Sequence, residues 1–266
     1  MKFYIKIITS TVLIFKGDTI MRYSAVAASL LSIAGLCSLH QSAHAHGAWL
    51  AKIHGDYHVM WGHDPSNTGP YSPAEVTEAR GVKNSEVRAL PVVRTEKYAS
   101  IDATDVGIVS AIMSGGFRTQ TSDGKYHSLT KAEAKKLGEV KSSAYRTRYM
   151  VTYANDREQP KLLGYDLELL PQINPAKAKK GDVIPVQVLL KGQPVANATI
   201  NDNFLAYPRQ HIKTDAQGRA NMTVANYGHN AWAVSHSVPY PDLQKADTAA
   251  WSTVMTFSVP GPAQAE

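Results

Sequence analysis

Trp49-Leu50-Ala51-Lys52-Ile53-His54-Gly55-Asp56-Tyr57-His58-Val59-Met60-Trp61 reads as two short strands, Trp49–Ile53 and Tyr57–Trp61. Gly55-Asp56 is the expected two-residue turn between them. A turn there sets a register: His54 opposes Tyr57, Leu50 opposes Trp61 and Ala48 opposes His63. His46 then falls on the same face as Ala48, diagonal to His63 at roughly 7–8 Å between backbones. A one-residue change in the loop would put the two imidazoles on opposite faces. In this register His58 faces away from His63, and both His54 and His58 read as solvent-exposed or core-edge residues.

Just before the hairpin stands Ala43-His44-Ala45, the small-x-small end of an export signal. The leader opens at Met21-Arg22, where translation is expected to start, and continues as an apolar run from Ser24 to Leu39. That run is too short to span a membrane. Cleavage after Ala45 makes His46 the first residue of the mature protein. An N-terminal histidine carries a free α-amine and an imidazole, and the two can close a chelate ring on one divalent transition-metal ion. A further nitrogen completes a T-shaped copper or nickel site.

Composition narrows the alternatives. The chain has 266 residues and a formal net charge of +6. Residues 1–45 hold Lys2, Lys6, Lys16 and Arg22 against Asp18, so about +3 remains after cleavage. No stripe of Lys and Arg interleaved with aromatics runs through it, and nucleic acid is not an expected partner. Cys37, the only cysteine, lies in the leader, which removes thiolate sites, disulfides and cysteine nucleophiles from the mature chain. Leu36 before it is a poor match to a lipoprotein cleavage site, so a soluble exported protein is expected. Neither a G-x-S-x-G elbow nor an H-E-x-x-H helix is present, and no enzymatic activity is expected.

Short strand-like runs continue to the end of the chain. They cover Val87–Val93, Tyr98–Ala103, Val106–Met113, Tyr145–Tyr153, Val183–Leu190, Val195–Asn201, Ala220–Val224, Ala231–His236 and Val254–Val259. Ser114-Gly115-Gly116-Phe117 and Ser122-Asp123-Gly124-Lys125 are read as turns, and Lys131–Leu137 as a short helix capped by Thr130. A joint is expected between Asp166 and Asp182. These signals predict an all-β fold of two β-sandwich domains, 46–170 and 171–260, followed by a tail, 261–266.

Gly192-Gln193-Pro194-Val195-Ala196-Asn197-Ala198-Thr199-Ile200 followed by Thr214-Asp215-Ala216-Gln217-Gly218-Arg219 resembles a transthyretin-like or carboxypeptidase-regulatory-like β-sandwich. Three further segments occur with it: Leu167-Glu168-Leu169-Leu170-Pro171, Gly115-Gly116-Phe117-Arg118-Thr119-Gln120-Thr121-Ser122-Asp123-Gly124, and His46-Gly47-Ala48-Trp49-Leu50. The combination is similar to periplasmic accessory proteins of nickel/cobalt uptake systems. The resemblance implies a periplasmic protein of two immunoglobulin- or transthyretin-like β domains that captures a transition-metal ion, nickel or cobalt, whereas the nitrogen donors by themselves favour copper and a copper-binding periplasmic protein. It also implies a membrane metal importer as partner. It matches His46 beside Trp49 to the family's N-terminal histidine, and His63 to the histidine after the first hairpin. His236, at the end of the strand Ala231–His236, is the expected third ligand, with His229 nearby. Two other readings follow from the same residues: a histidine-brace copper monooxygenase, and a β-sandwich binding module without metal.

Overall fold

The computed structural model describes residues 47–205 and 210–261. The leader 1–45, His46 and the tail beyond Gly261 lie outside the described residues. The described chain is all-β. It begins with β1 (Gly47–Ile53), β2 (Asp56–Asp64), β3 (Asn67–Thr68), β4 (Val76–Lys83), β5 (Glu86–Leu90) and β6 (Val92–Arg94). Next come β7 (Ala99–Ile101), β8 (Ile108–Thr121), β9 (Tyr126–His127), the helix α1 (Lys131–Ala134) and β10 (Val140–Tyr153). β11 (Leu167–Pro171), β12 (Val183–Leu190), β13 (Gln193–Pro194) and β14 (Thr199–Asn201) follow. The last strands are β15 (His211–Lys213), β16 (Arg219–Thr223), β17 (Gly228–Pro239) and β18 (Thr248–Val259).

These strands make three sheets. The largest has the order β15-β14-β17-β18-β10-β8-β4-β5, with β9 on β8. Its centre is the parallel pair β10–β18, running from Ala144 opposite Thr248 to Tyr153 opposite Phe257. β10 is covered on both faces, and residues 149–153 are all buried, as expected for a strand in a parallel pair. Tyr149, Val151 and Tyr153 point toward the sheet β11-β12-β13 with β16, into a core with Leu167, Ile184 and Val186. Met150 points the other way, toward the sheet β1-β2-β7-β6, into a core with Leu50, Val59 and Ile101. The result is three layers with the nine-stranded sheet in the middle.

The boundary at 170/171 therefore does not separate two sheets. Strands from both sides of it share the middle layer, and Ala45–Glu266 forms one compact unit. Nor are the residues between Asp166 and Asp182 a joint, because β11 there pairs with β12 and buries Leu167 and Leu169.

Gly115-Gly116 is not a turn either. β8 runs unbroken through it and carries a β-bulge: Arg146 pairs with Gly116, Thr147 with Ser114, and Gly115 is the extra residue. Gly116 takes φ +59°, a left-handed conformation that glycine adopts without steric cost. The expected helix is present but shorter, closed by a reciprocal Thr130–Glu133 capping box.

Asp247, just before β18, ties that strand to β10 and α1. Its carboxylate accepts from the Ser143 N–H (2.9 Å), the Ser143 hydroxyl (2.7 Å) and the Lys131 ammonium. Burial alone would raise its pKa, but Lys131 and Ser143 together hold it below the ordinary carboxylate value. A lowered folded pKa gives stability that is present above the unfolded value and lost as pH falls through the folded one. Asp247→Asn is expected to cost about 1 kcal/mol at pH 7, a figure already reduced for the carboxylate's exposed side. In urea unfolding the gap between parent and variant should close below about pH 4. A gap that persists there contradicts the assignment.

Candidate metal centre

The first hairpin turns one residue earlier than the sequence indicates. Its tip is His54-Gly55, with φ of +51° and +103°, and Ile53 opposes Asp56. Two positive φ values in succession are the requirement of a type I′ turn, whose twist matches the strands it joins. Moving the tip by one residue slides every pair by two, which leaves the faces unchanged. Leu50 thus opposes Val59 and Ala48 opposes Trp61, not Trp61 and His63 as expected.

The ladder ends with Gly47 opposite Gly62. His46 is bonded to the first of these and His63 to the second. His63 is half-buried. Its neighbour Asp64 turns its carboxylate onto the Ser66 N–H and hydroxyl, at 2.8 and 2.6 Å. That hydroxyl, more than the nearby His63, holds Asp64 below the usual carboxylate range.

Both glycines of the terminal pair are there for space. A Cβ on Gly47 would lie 2.0 Å from Cζ of Phe204, so the loop after β14 closes directly onto the start of β1. A Cβ on Gly62 would lie 2.2 Å from the Asn67 carbonyl oxygen and 2.8 Å from the Thr68 Cα. Those are backbone atoms, and they cannot swing aside. Gly62→Ala is expected to destabilise the protein by about 1–3 kcal/mol. An unchanged thermal unfolding midpoint would contradict this close approach.

β1 is gripped from both sides. Ala48 and Leu50 enter the core with Val59 and Met150, while Trp49 packs with Phe204, Leu205, Ala231, Ala233 and Val254. β1 is thereby fixed in place from Gly47 onward.

His236 does not join this end of the molecule as expected. Alternation along β17 puts it on the face of Trp232 and Val234, opposite Trp251 on β18. Trp49 packs on the other face, against Ala231 and Ala233. The same alternation places His229 on the hairpin side, its Nδ1 3.3 Å from the Ser258 hydroxyl. Alternation groups His236 with Trp232 and Val234, and the packing of Trp49 makes the opposite face the one that meets the hairpin. His54 sits exposed in the turn and His58 packs on Tyr98, with ring centroids 5.0 Å apart. Among the described residues no group of three or more His, Cys, Asp or Glu side chains could hold a metal ion. His46 lies outside the described residues.

A family model described as a domain of unknown function (DUF4198) matches residues 43–238. No curated protein matches the chain.

Proposed function

Taking as premise that the chain belongs to the DUF4198 family, we propose that it is a periplasmic transition-metal-binding protein accessory to nickel/cobalt uptake. The ion is its cargo, bound and passed to a membrane importer without chemical change. The amine and imidazole of His46 hold it after cleavage behind Ala45, with His63 as the next nitrogen.

One observation carries this reading. Gly47 and Gly62 are paired at the open end of the hairpin, and His46 and His63 are their neighbours in the sequence. Packing supports it: Trp49 and Phe204 hold β1 rigidly up to Gly47, and a site on a rigid strand needs little reorganisation on binding. The nitrogen donors suit nickel, cobalt and copper alike, and copper binds most tightly in the Irving–Williams order.

The test is calorimetric titration of the mature chain beginning at His46 with Ni(II), Co(II) and Cu(II). One equivalent is expected, with affinity reduced about tenfold or more by His63→Ala. Absence of binding overturns the reading and leaves a β-sandwich module without metal.

A further inference from the structure

The nine-stranded sheet carries a group of arginines beside the first hairpin that the metal reading does not use. On β10, Arg148 and Arg146 alternate onto the face of Met150. The β8 register adds Arg118, which opposes Ala144 on that face. Glu75 is the carboxylate that reaches this group, and it is already paired with Arg118, which also bonds the Ser128 hydroxyl. Among the described residues, three guanidinium groups thus face the Glu75 carboxylate.

Arg148 is held in a defined pose. Its Cζ lies 4.5 Å from the centre of the Trp61 ring. The bulge in β8 makes room for it: a Cβ on Gly115 would sit 2.9 Å from Arg148 Nη1. Burial first, and the neighbouring Arg146 charge second, push Arg148 down to about 10. Among the described residues neither Arg146 nor Arg148 has a hydrogen-bonding or ion-pair partner, and the Arg146 Nε is sealed from solvent with no acceptor.

A partly buried cation without an acceptor is unfavourable, and the Trp61 ring offsets only part of that cost for Arg148. A guanidinium whose carbon lies over an indole can still offer its N–H donors, a fork matched to two oxygens of an anion. We propose that Arg146 and Arg148, with Arg118 at the rim, bind the oxyanion group of a small solute, a carboxylate or a phosphate. Trp61, which orients Arg148, is two residues before His63 on β2, so the anion lies beside the metal-binding end of the hairpin. The proposal does not rest on the metal reading, because it is tested on metal-free protein.

The experiment titrates the metal-free mature chain with citrate and, separately, with inorganic phosphate at low salt. Calorimetry and tryptophan fluorescence report binding. Saturable 1:1 binding of at least one anion is expected, weakened about tenfold or more by Arg148→Gln and by Arg146→Gln. Arg219→Gln, at an exposed position of β16, should leave it unchanged. Citrate alone identifies an organic carboxylate, phosphate alone a phosphate, and binding of both a general oxyanion site. Should Arg148→Gln fail to fold by circular dichroism, Arg148→Lys keeps the charge, loses the fork, and is expected to bind more weakly at a normal unfolding midpoint. No saturation at millimolar concentration, or equal binding by the parent, Arg146→Gln and the folded Arg148 variant, overturns the proposal.

Discussion

A single glycine placed before His46 is expected to lower the affinity of the mature chain for Ni(II), Co(II) or Cu(II) by on the order of a hundredfold. The extension leaves every imidazole where it was and moves only the α-amine. In the native terminus amine and imidazole belong to one residue, so the second nitrogen binds at the high effective concentration of an intramolecular ligand. One added residue breaks that single-residue chelate, so the amine can return to the ion only with deprotonation of the intervening amide. Cu(II) should be the tightest ion whatever the biological cargo, because the Irving–Williams order governs nitrogen donors. The informative quantity is therefore the loss on extension for each metal, not the ranking of metals. Equal binding by the two chains would exclude the amine as a ligand and move the site to the internal histidines. His63→Ala would then be tested beside His229→Ala, since His229 is on the hairpin side of β17 and His236 is not.

Trp49→Ala is expected to cost about 3–5 kcal/mol of folding stability. The side chain is 2 % exposed and fills the space between β1, the Phe204–Leu205 loop and the Ala231, Ala233 and Val254 face. Its neighbours on β17 are alanines, too short to reach into the cavity left behind. The strand it anchors carries Gly47, so metal affinity should fall together with stability. Urea unfolding measures the first and calorimetry the second. Tyr126→Ala, at a residue 61 % exposed, is the control and should change stability by no more than about 0.5 kcal/mol. A loss near that of the control would mean that β1 is not packed as described.

Much of the candidate site could be read before any coordinates. The face shared by Ala48, Leu50, Val59 and Trp61 follows from strand alternation alone, and it survived a turn placed one residue late because the error slid each pair by two. The turn differs from the expected Gly55-Asp56 because His54, a non-glycine residue, takes the first positive φ. β17 continues past His236 to Pro239, and which of its faces meets the hairpin depends on a packing partner that lies far away in sequence. The arginines left no local signal at all. Arg146 and Arg148 look like ordinary alternating strand residues until β8 and β2 close over them.

By itself the sequence determined the all-β class, β12 at Val183–Leu190 and the Thr130 cap. Each of these rests on residues within a few positions of one another, where alternation, turn chemistry and side-chain capping act locally. The tertiary structure alone decided that β10 and β18, about a hundred residues apart, pair in parallel and merge two expected sandwiches into three layers. It also decided that Gly115-Gly116 is a bulge making room for Arg148, and that His236 faces away from the hairpin. The physical reason is common to all three. Choosing a distant partner is settled by burying both faces of a strand at once, and that free energy exists only when the whole sheet has assembled.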